Sequence, residues 1–312
     1  MAARGGRCAR SRRRSAHPPG PRSALVPELP EVETLRRDLD PEIVGREILK
    51  GWISENAPRL VQGMPPQVFL DSLARRRFTG TSRRGKYLVL ELDDGTAFIL
   101  HLRMTGQLLL VDPQSVVDPY ARARFWLDDG RELRFRDVRK FGTMWHVADR
   151  ELVLHRLGLE PLSDEFTTAA LYAALARRAA PVKAVLLDQH VIAGLGNIYV
   201  DEALHLARVH PLAPARDLSR RQAGAIREGA VRVLEQALSN RGSSFRDYVD
   251  SRGRPGSNVQ HLRVYKRTGE PCLSCGREIV RTLAGGRSTH YCPGCQRRPR
   301  RRATRRVAGA GV

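Results

Sequence analysis

A chain of 312 residues, with 54 Lys and Arg against 33 Asp and Glu, is long enough for two or three domains with cores of their own and carries +21 at neutral pH. Seven arginines and no acid fall in residues 1–26 and another seven in residues 296–312, which leaves +7 on the body between them, a balance suited to a polyanionic partner. No apolar run approaches the ~20 residues that span a bilayer, and five cysteines, four of them clustered near the C-terminus, suit a metal site in a reducing compartment better than a secreted disulfide framework.

Residues 1–26 mix Arg, Ala, Gly, Pro and Ser without hydrophobic periodicity and are expected to lie outside the fold. They read as an Arg-rich, acid-free transit peptide or as a basic DNA-binding arm. Glu31–Leu39 reads as a helix: Pro30 suits a first-turn position, and Glu31 and Glu33 complement the positive end of the dipole. From Lys86 the pattern changes to strands. Tyr87–Leu92 and Ala97–Leu102 flank Asp93-Asp94-Gly95, and Arg122–Leu127 and Glu132–Arg136 flank Asp128-Asp129-Gly130, two hairpin signals. In the last of these strands Leu133 and Phe135 face one way and Arg134 and Arg136 the other, the alternation of a half-buried sheet.

Residues 155–165 have linker character. Helices are predicted at about 164–178, 181–188, 197–207 and 217–239. Residues 242–262 read as a long loop and 263–295 as a compact cysteine module. The expected fold class is α+β and multidomain, opening with an antiparallel β domain that a helix leads into.

Three segments carry chemistry on their own residues. Cys272-x2-Cys275, sixteen residues, then Cys292-x2-Cys295 is a zinc signature; four thiolates close a tetrahedral shell, so the one Zn2+ is structural. Ala193-Gly194-Leu195-Gly196-Asn197 places two glycines before a helix, where backbone and helix N–H groups can approach an anion. Arg83-Arg84-Gly85-Lys86 is a basic turn at a strand edge, where a lysine is common in any sheet.

Pro27-Glu28-Leu29-Pro30-Glu31, continued by Val32-Glu33-Thr34-Leu35-Arg36-Arg37, resembles the mature N-terminus of the formamidopyrimidine-DNA glycosylase family, bacterial enzymes that remove oxidised purines from DNA. The segments Arg83–Leu88, His101–Gly106, Asp137–Gly142, Ala193–Ala203, Ser243–Gly256 and Gly285–Tyr291 follow the family pattern in order, over residues 27–296. The resemblance implies an N-terminal antiparallel β-sandwich (27–155), a helical helix-two-turns-helix domain with a lesion-capping loop (156–262), a β-hairpin zinc finger (263–296) and a basic tail (297–312).

It also implies roles. Pro27 is the nucleophile through its free amine, and Glu28 protonates the sugar ring oxygen. Lys86 and Arg287 bind phosphates at the lesion, Asn197 and His101 bind backbone phosphate, and Lys183 lies near the DNA. Met104, Arg139 and Phe141 fill the gap left by the extruded base, with Arg139 bonding the orphaned cytosine; by residue type alone Met104 and Phe141 read as core. Ser243–Gly256 resembles the loop that closes over the everted purine, although residues 257–261 depart from the aromatic-containing stretch common there. The implied partner is double-stranded DNA with oxidised bases or abasic sites, met by a monomer at the bacterial nucleoid in the cytoplasm.

One feature conflicts with that chemistry. The nitrogen of an internal proline is an amide with its lone pair delocalised, and it cannot attack a sugar. Val26 stands where the family has its initiator Met, and a GUG codon reads as Val internally but as Met at initiation. The expected mature protein therefore begins at Pro27. Three alternatives remain open on sequence: an endonuclease-VIII-like enzyme for oxidised pyrimidines; a non-catalytic binder of damaged DNA whose extension blocks Pro27; and a zinc-ribbon factor, which leaves the Pro-Glu-Leu-Pro-Glu segment without a reason.

Overall fold

The computed structural model describes residues 26–298 other than 117 and 246. Expectations placed on residues 1–25 and 299–312, Cys8 among them, lie outside the described residues. The chain opens with helix α1 (Leu29–Ile43) and runs on through β1 (Ile48–Ile53), α2 (Pro66–Leu73), β2 (Phe78–Arg84), β3 (Tyr87–Leu92), β4 (Ala97–His101), β5 (Gly106–Val111), β6 (Ala121–Leu127), β7 (Glu132–Asp137) and β8 (Thr143–Val147). The strands form two antiparallel four-stranded sheets, ordered β1-β6-β7-β5 and β2-β3-β4-β8. Both expected hairpins form, one in each sheet, with Gly95 and Gly130 at φ +80° and +84° as their turns require.

The sandwich core gathers Phe69, Phe78, Phe98, Phe125 and Phe135 between the sheets, with Phe69, Phe98 and Phe125 in mutual edge-on contacts at 5.2–6.5 Å. The outer face of β7 departs from expectation. Arg134 is 4% exposed and Glu132 fully buried. The Glu132 carboxylate takes Arg124 and Arg134 together, and the loop before β6 covers the pair, with Val116 O accepting from Arg134 at 3.0 Å. Pairing inside the fold is what lets these charges leave water.

Helices α3 (Glu151–Leu154), α4 (Thr168–Ala176), α5 (Val182–Leu187), α6 (Asn197–Leu206) and α7 (Arg220–Ser239) follow, and the hairpin of β9 (Val280–Ala284) and β10 (Arg287–Tyr291) ends the described fold. A capping box starts α7, Ser219 Oγ accepting from Gln222 N–H and Gln222 Oε1 from Ser219 N–H. Helix α1 is longer than the sequence suggests, because Pro41 falls in its last turn, where a missing N–H and a fixed φ disturb little beyond. Its residues divide between two cores: Val32, Leu35, Leu39 and Ile43 pack in the sandwich, Leu29 among the helices. The first turn of α1 thus sits where the two domains meet.

The stretch around residue 160 is less free than a linker. Glu160 accepts from Arg83 at 2.7 Å, Arg84 at 2.9 Å and the Gly85 N–H at 2.8 Å, and Leu159 bridges Ile192 in parallel. Among the described residues no helix is long and apolar enough to cross a membrane.

Candidate active site and DNA interface

A cleft of about 790 Å³ opens between the domains above the start of α1. Arg59 and Gln62, Lys86, His101, Arg103 and Met104, Lys140, Phe141 and Thr143, Gly196 and Asn197, Tyr265 and Gly286 to Ser288 line it with Val26 and Glu28. Five cationic side chains (Arg59, Lys86, Arg103, Lys140 and Arg287) thus surround a single carboxyl group, that of Glu28. A cleft so charged suits phosphates.

Glu28 is 2% exposed, and its carboxylate accepts from Ile198 N–H at 2.9 Å and Tyr199 N–H at 3.4 Å, the free donors at the start of α6. Gly196 makes this approach feasible: a Cβ there would lie 2.3 Å from Glu28 Cδ. Gly194, at φ +95°, lies against Leu29, whose N–H it accepts at 3.0 Å. The two glycines do admit an anion at a helix N-terminus, as their spacing suggests, but the anion is the protein's own carboxylate rather than a phosphate. Gln189 holds this segment, donating to Leu195 O and accepting from Gly194 N–H.

Burial pushes the Glu28 carboxyl up to about 7; Lys86 pulls it down, the neighbouring Glu31 pushes it up, and the two N–H bonds pull it down. Lys86, also buried, has its ammonium lowered chiefly by desolvation, against the pull of Glu28 and Glu31. The β2–β3 turn that carries it is held by Glu160 and pressed on Ala193 and Gly194 by Gly85, at φ +56°. Pro27 is buried, and Val26 stands at the cleft wall.

Met104, Arg139 and Phe141, the residues expected to fill the stack, occupy two loops joined by one carboxylate. Asp137 accepts from the N–H groups of Arg139 at 3.1 Å, Phe141 at 2.8 Å and Gly142 at 2.8 Å, and from the Thr105 hydroxyl across the gap. Phe141 is 50% exposed with the Arg139 guanidinium 4.8 Å over its ring, and Met104 is half-buried. Phe141 is therefore no core residue. Arg103 and Lys140, one in each loop, hold φ +55° and +59°, left-handed conformations that cost a non-glycine residue. His101 Nδ1 accepts Arg103 N–H at 3.0 Å, which leaves the ring proton on Nε2, and burial holds the ring neutral, well below the usual histidine range.

Lys183 sits inside the fold. Its side chain is fully buried, with Nζ 2.7 Å from Asp201 Oδ1 and donating to Ser288 O at 2.7 Å; Asp201 Oδ2 in turn accepts from His290 N–H at 2.9 Å. The pair fastens β10 to α5 and α6, behind Ser288 at the cleft wall. Arg287, at the head of β10, stays exposed beside the Gly285-Gly286 turn. None of the described residues of segment 243–256 lines the cleft. Together with Arg241 just ahead of it, the segment straps the helical domain to the sandwich: Arg241 pairs with Asp38 and Asp250, Arg252 with Glu42, and Leu110 N–H donates to Ser251 O.

Three family models cover the chain in this order: formamidopyrimidine-DNA glycosylase N-terminal domain over residues 26–144, its H2TH domain over 157–249, and a zinc finger of the kind found in FPG and IleRS over 269–298. The chain belongs to the formamidopyrimidine-DNA glycosylase family. It is 45% identical to the formamidopyrimidine-DNA glycosylase of Herpetosiphon aurantiacus over 278 residues, 87% of this chain and all of that one. The Lactococcus lactis enzyme bound to abasic-site DNA superposes with a TM-score of 0.79 at 34% identity, over 87% of this chain and 100% of that one. A single-residue variant of that enzyme, bound to DNA containing Fapy-dG, gives 0.81 at 35% with the same coverage.

The family's zinc finger has its ligands in place. The Sγ atoms of Cys272, Cys275, Cys292 and Cys295 lie within 4.8 Å of one another and none is in a disulfide, which fits one tetrahedral Zn2+. Sequence reasoning misses Arg59, Gln62 and Gln189, which sit in loops without a motif. It also misses Arg103 and Lys140, although each adjoins a named wedge residue. Glu31 is the largest omission: read as a dipole partner, it is 1% exposed and accepts from Glu28 N–H at 2.8 Å, Ser243 N–H at 2.8 Å and the Tyr199 hydroxyl at 2.6 Å.

Proposed function

We propose that this cleft excises oxidised purines, 8-oxoguanine and formamidopyrimidines, from duplex DNA and then nicks the strand at the abasic sugar, with Pro27 as nucleophile once it is the N-terminal residue. The observation that carries the reading is Glu28, a buried carboxyl at about 7 in a cationic cleft, next in sequence to that proline. A group at that value holds a proton at neutral pH and can give it up, as a general acid must. An α-amine near 7.8 is about a tenth unprotonated at pH 7, against well under a thousandth for an ordinary lysine near 10.4.

The Pro27 nitrogen attacks C1′ of the damaged nucleoside while Glu28 protonates the ring oxygen, so the sugar opens. The base leaves, and an iminium joins enzyme to DNA. β-Elimination and then δ-elimination break the C–O bonds to the 3′ and 5′ phosphates. Lys86, Arg287, Asn197 and His101 are assigned to phosphates around the lesion, the last as a neutral Nε2–H donor. Met104, Arg139 and Phe141 are assigned to the gap in the stack. Zinc holds the hairpin that presents Arg287, and its four thiolates leave no position for substrate. We place a monomer of this enzyme on nucleoid DNA in the bacterial cytoplasm.

Lesion choice tests the reading. Duplexes with 8-oxoguanine opposite cytosine are expected to be cut faster than duplexes with thymine glycol by at least about tenfold, roughly 1.4 kcal/mol of transition-state discrimination. Preference for thymine glycol would move the chain to the pyrimidine-directed branch. Where residue 26 stays attached, the same cleft is expected to bind abasic DNA without cutting it.

A further inference from the structure

Glu31 ends a chain of hydrogen bonds that the proposed reaction does not use. Asn258 Nδ2 donates to Ser243 Oγ at 2.9 Å, and its amide orientation is fixed because Asn258 Oδ1 accepts from Asn240. Ser243 Oγ lies 3.0 Å from the Tyr199 hydroxyl, which itself donates to Glu31 Oε1 at 2.6 Å. With the phenolic proton committed to Glu31, the serine proton must point to the tyrosine oxygen. The chain therefore runs one way, from Asn258 through Ser243 and Tyr199 to Glu31, each link polarising the next. All four residues are at most 4% exposed. It starts at the stem of the strap, where Ser243 bridges Ser257.

We propose that Tyr199, Ser243 and Asn258 are positioning residues for the acid: their chain keeps the negative charge on Glu31 and thereby the proton on Glu28. The proposal rests on the reading of Glu28 as the acid. Glu28 and Glu31 are both buried and each charge acts on the other, so the pair favours a single negative charge, kept by the group that receives more donors. Glu31 receives an O–H and two N–H groups, Glu28 two N–H groups. Burial raises the Glu31 carboxyl, the Tyr199 hydroxyl and the N–H groups of Ser243 and Glu28 pull it back down, and Glu31 in turn raises Glu28. The other groups facing the pair are Lys86 from the β2–β3 turn, Lys183 on α5, and Tyr265 and Tyr248 from the later segments.

The sign follows. Without the Tyr199 hydroxyl, Glu31 takes a proton more readily and Glu28 loses its proton at lower pH. Base release, which needs protonated Glu28 and falls as pH rises through about 7, then falls at lower pH. The test is single-turnover release of 8-oxoguanine between about pH 5.5 and 9, by the form of the chain that proves active. Tyr199→Phe is expected to move the falling limb down by roughly half to one pH unit, the share of one charge-assisted hydrogen bond that reaches Glu28. Ser243→Ala should move it less, in the same direction, with affinity for a tetrahydrofuran-containing duplex unchanged in both. A lower rate with an unmoved limb in Tyr199→Phe overturns the proposal, since a merely structural role would give that. If Tyr199→Phe does not fold, Glu31→Gln, which removes the charge itself, must lower the limb, and an unmoved limb there overturns the proposal equally. Persistence of the limb in Glu28→Gln would instead defeat the reading of Glu28 as the acid.

Discussion

At the residue scale, the reactive group is defined by what surrounds it. Glu28 owes its position to a glycine that lies directly against its carboxyl group, 168 residues on in sequence. Gly196→Ala is expected to displace the carboxylate, because the new Cβ would overlap Cδ. Misplacing a catalytic group by about an ångström costs on the order of 100-fold in rate. We expect that loss in single-turnover rate, with affinity for an abasic-analogue duplex held within about threefold, the scatter of a surface change. An unchanged rate would mean that Gly196 serves only the turn. The sequence makes the glycine visible but not its use, since a Gly-x-Gly before a helix is equally suited to phosphate. Lys183 is alike: its type fits a place near DNA, while its contacts with Asp201 and Ser288 O come from distant segments that the sequence does not join.

At the element scale, legibility followed burial. The four strands readable from sequence, β3, β4, β6 and β7, are the inner strands of the two sheets, and the four that escaped it, β1, β2, β5 and β8, are all edges. Inner strands bury residues steadily and sit beside Asp-Gly turns. An edge such as β2, Phe-Thr-Gly-Thr-Ser-Arg-Arg, carries polar residues and a glycine that blunt the pattern. Residues 242–262 read as a loop for their composition, while the partners that anchor Arg241 and Arg252, Asp38 and Glu42, lie some 200 residues away. The zinc hairpin was legible because four thiolates at fixed spacing have few other uses. Cys292→Ser is expected to loosen β10 and with it Arg287, lowering affinity for lesion duplex by about 10- to 100-fold, the worth of a charge-assisted bond or two. The three tryptophans, Trp52, Trp126 and Trp145, all lie in the sandwich, so their fluorescence should not change. A parallel loss of tryptophan signal would mean that the finger supports the whole fold.

At the scale of the whole molecule, α1 is the part both domains share. Its one helix gives Leu29 to the helical core and Val32, Leu35, Leu39 and Ile43 to the sandwich, so the residues just ahead of it lie in the cleft between the two. On the proposed reading, with Pro27 as the N-terminal residue, that geometry holds the nucleophile from both sides. It also makes the chemistry of residue 27 an all-or-none matter, because an amide nitrogen at that point has no lone pair to offer. Borohydride trapping on abasic duplex tests this most directly. Protein beginning at Pro27 is expected to form a covalent adduct that mass spectrometry maps to Pro27, and protein retaining residue 26 is expected to form none; equal trapping by both, or an adduct on Lys86, would contradict the account.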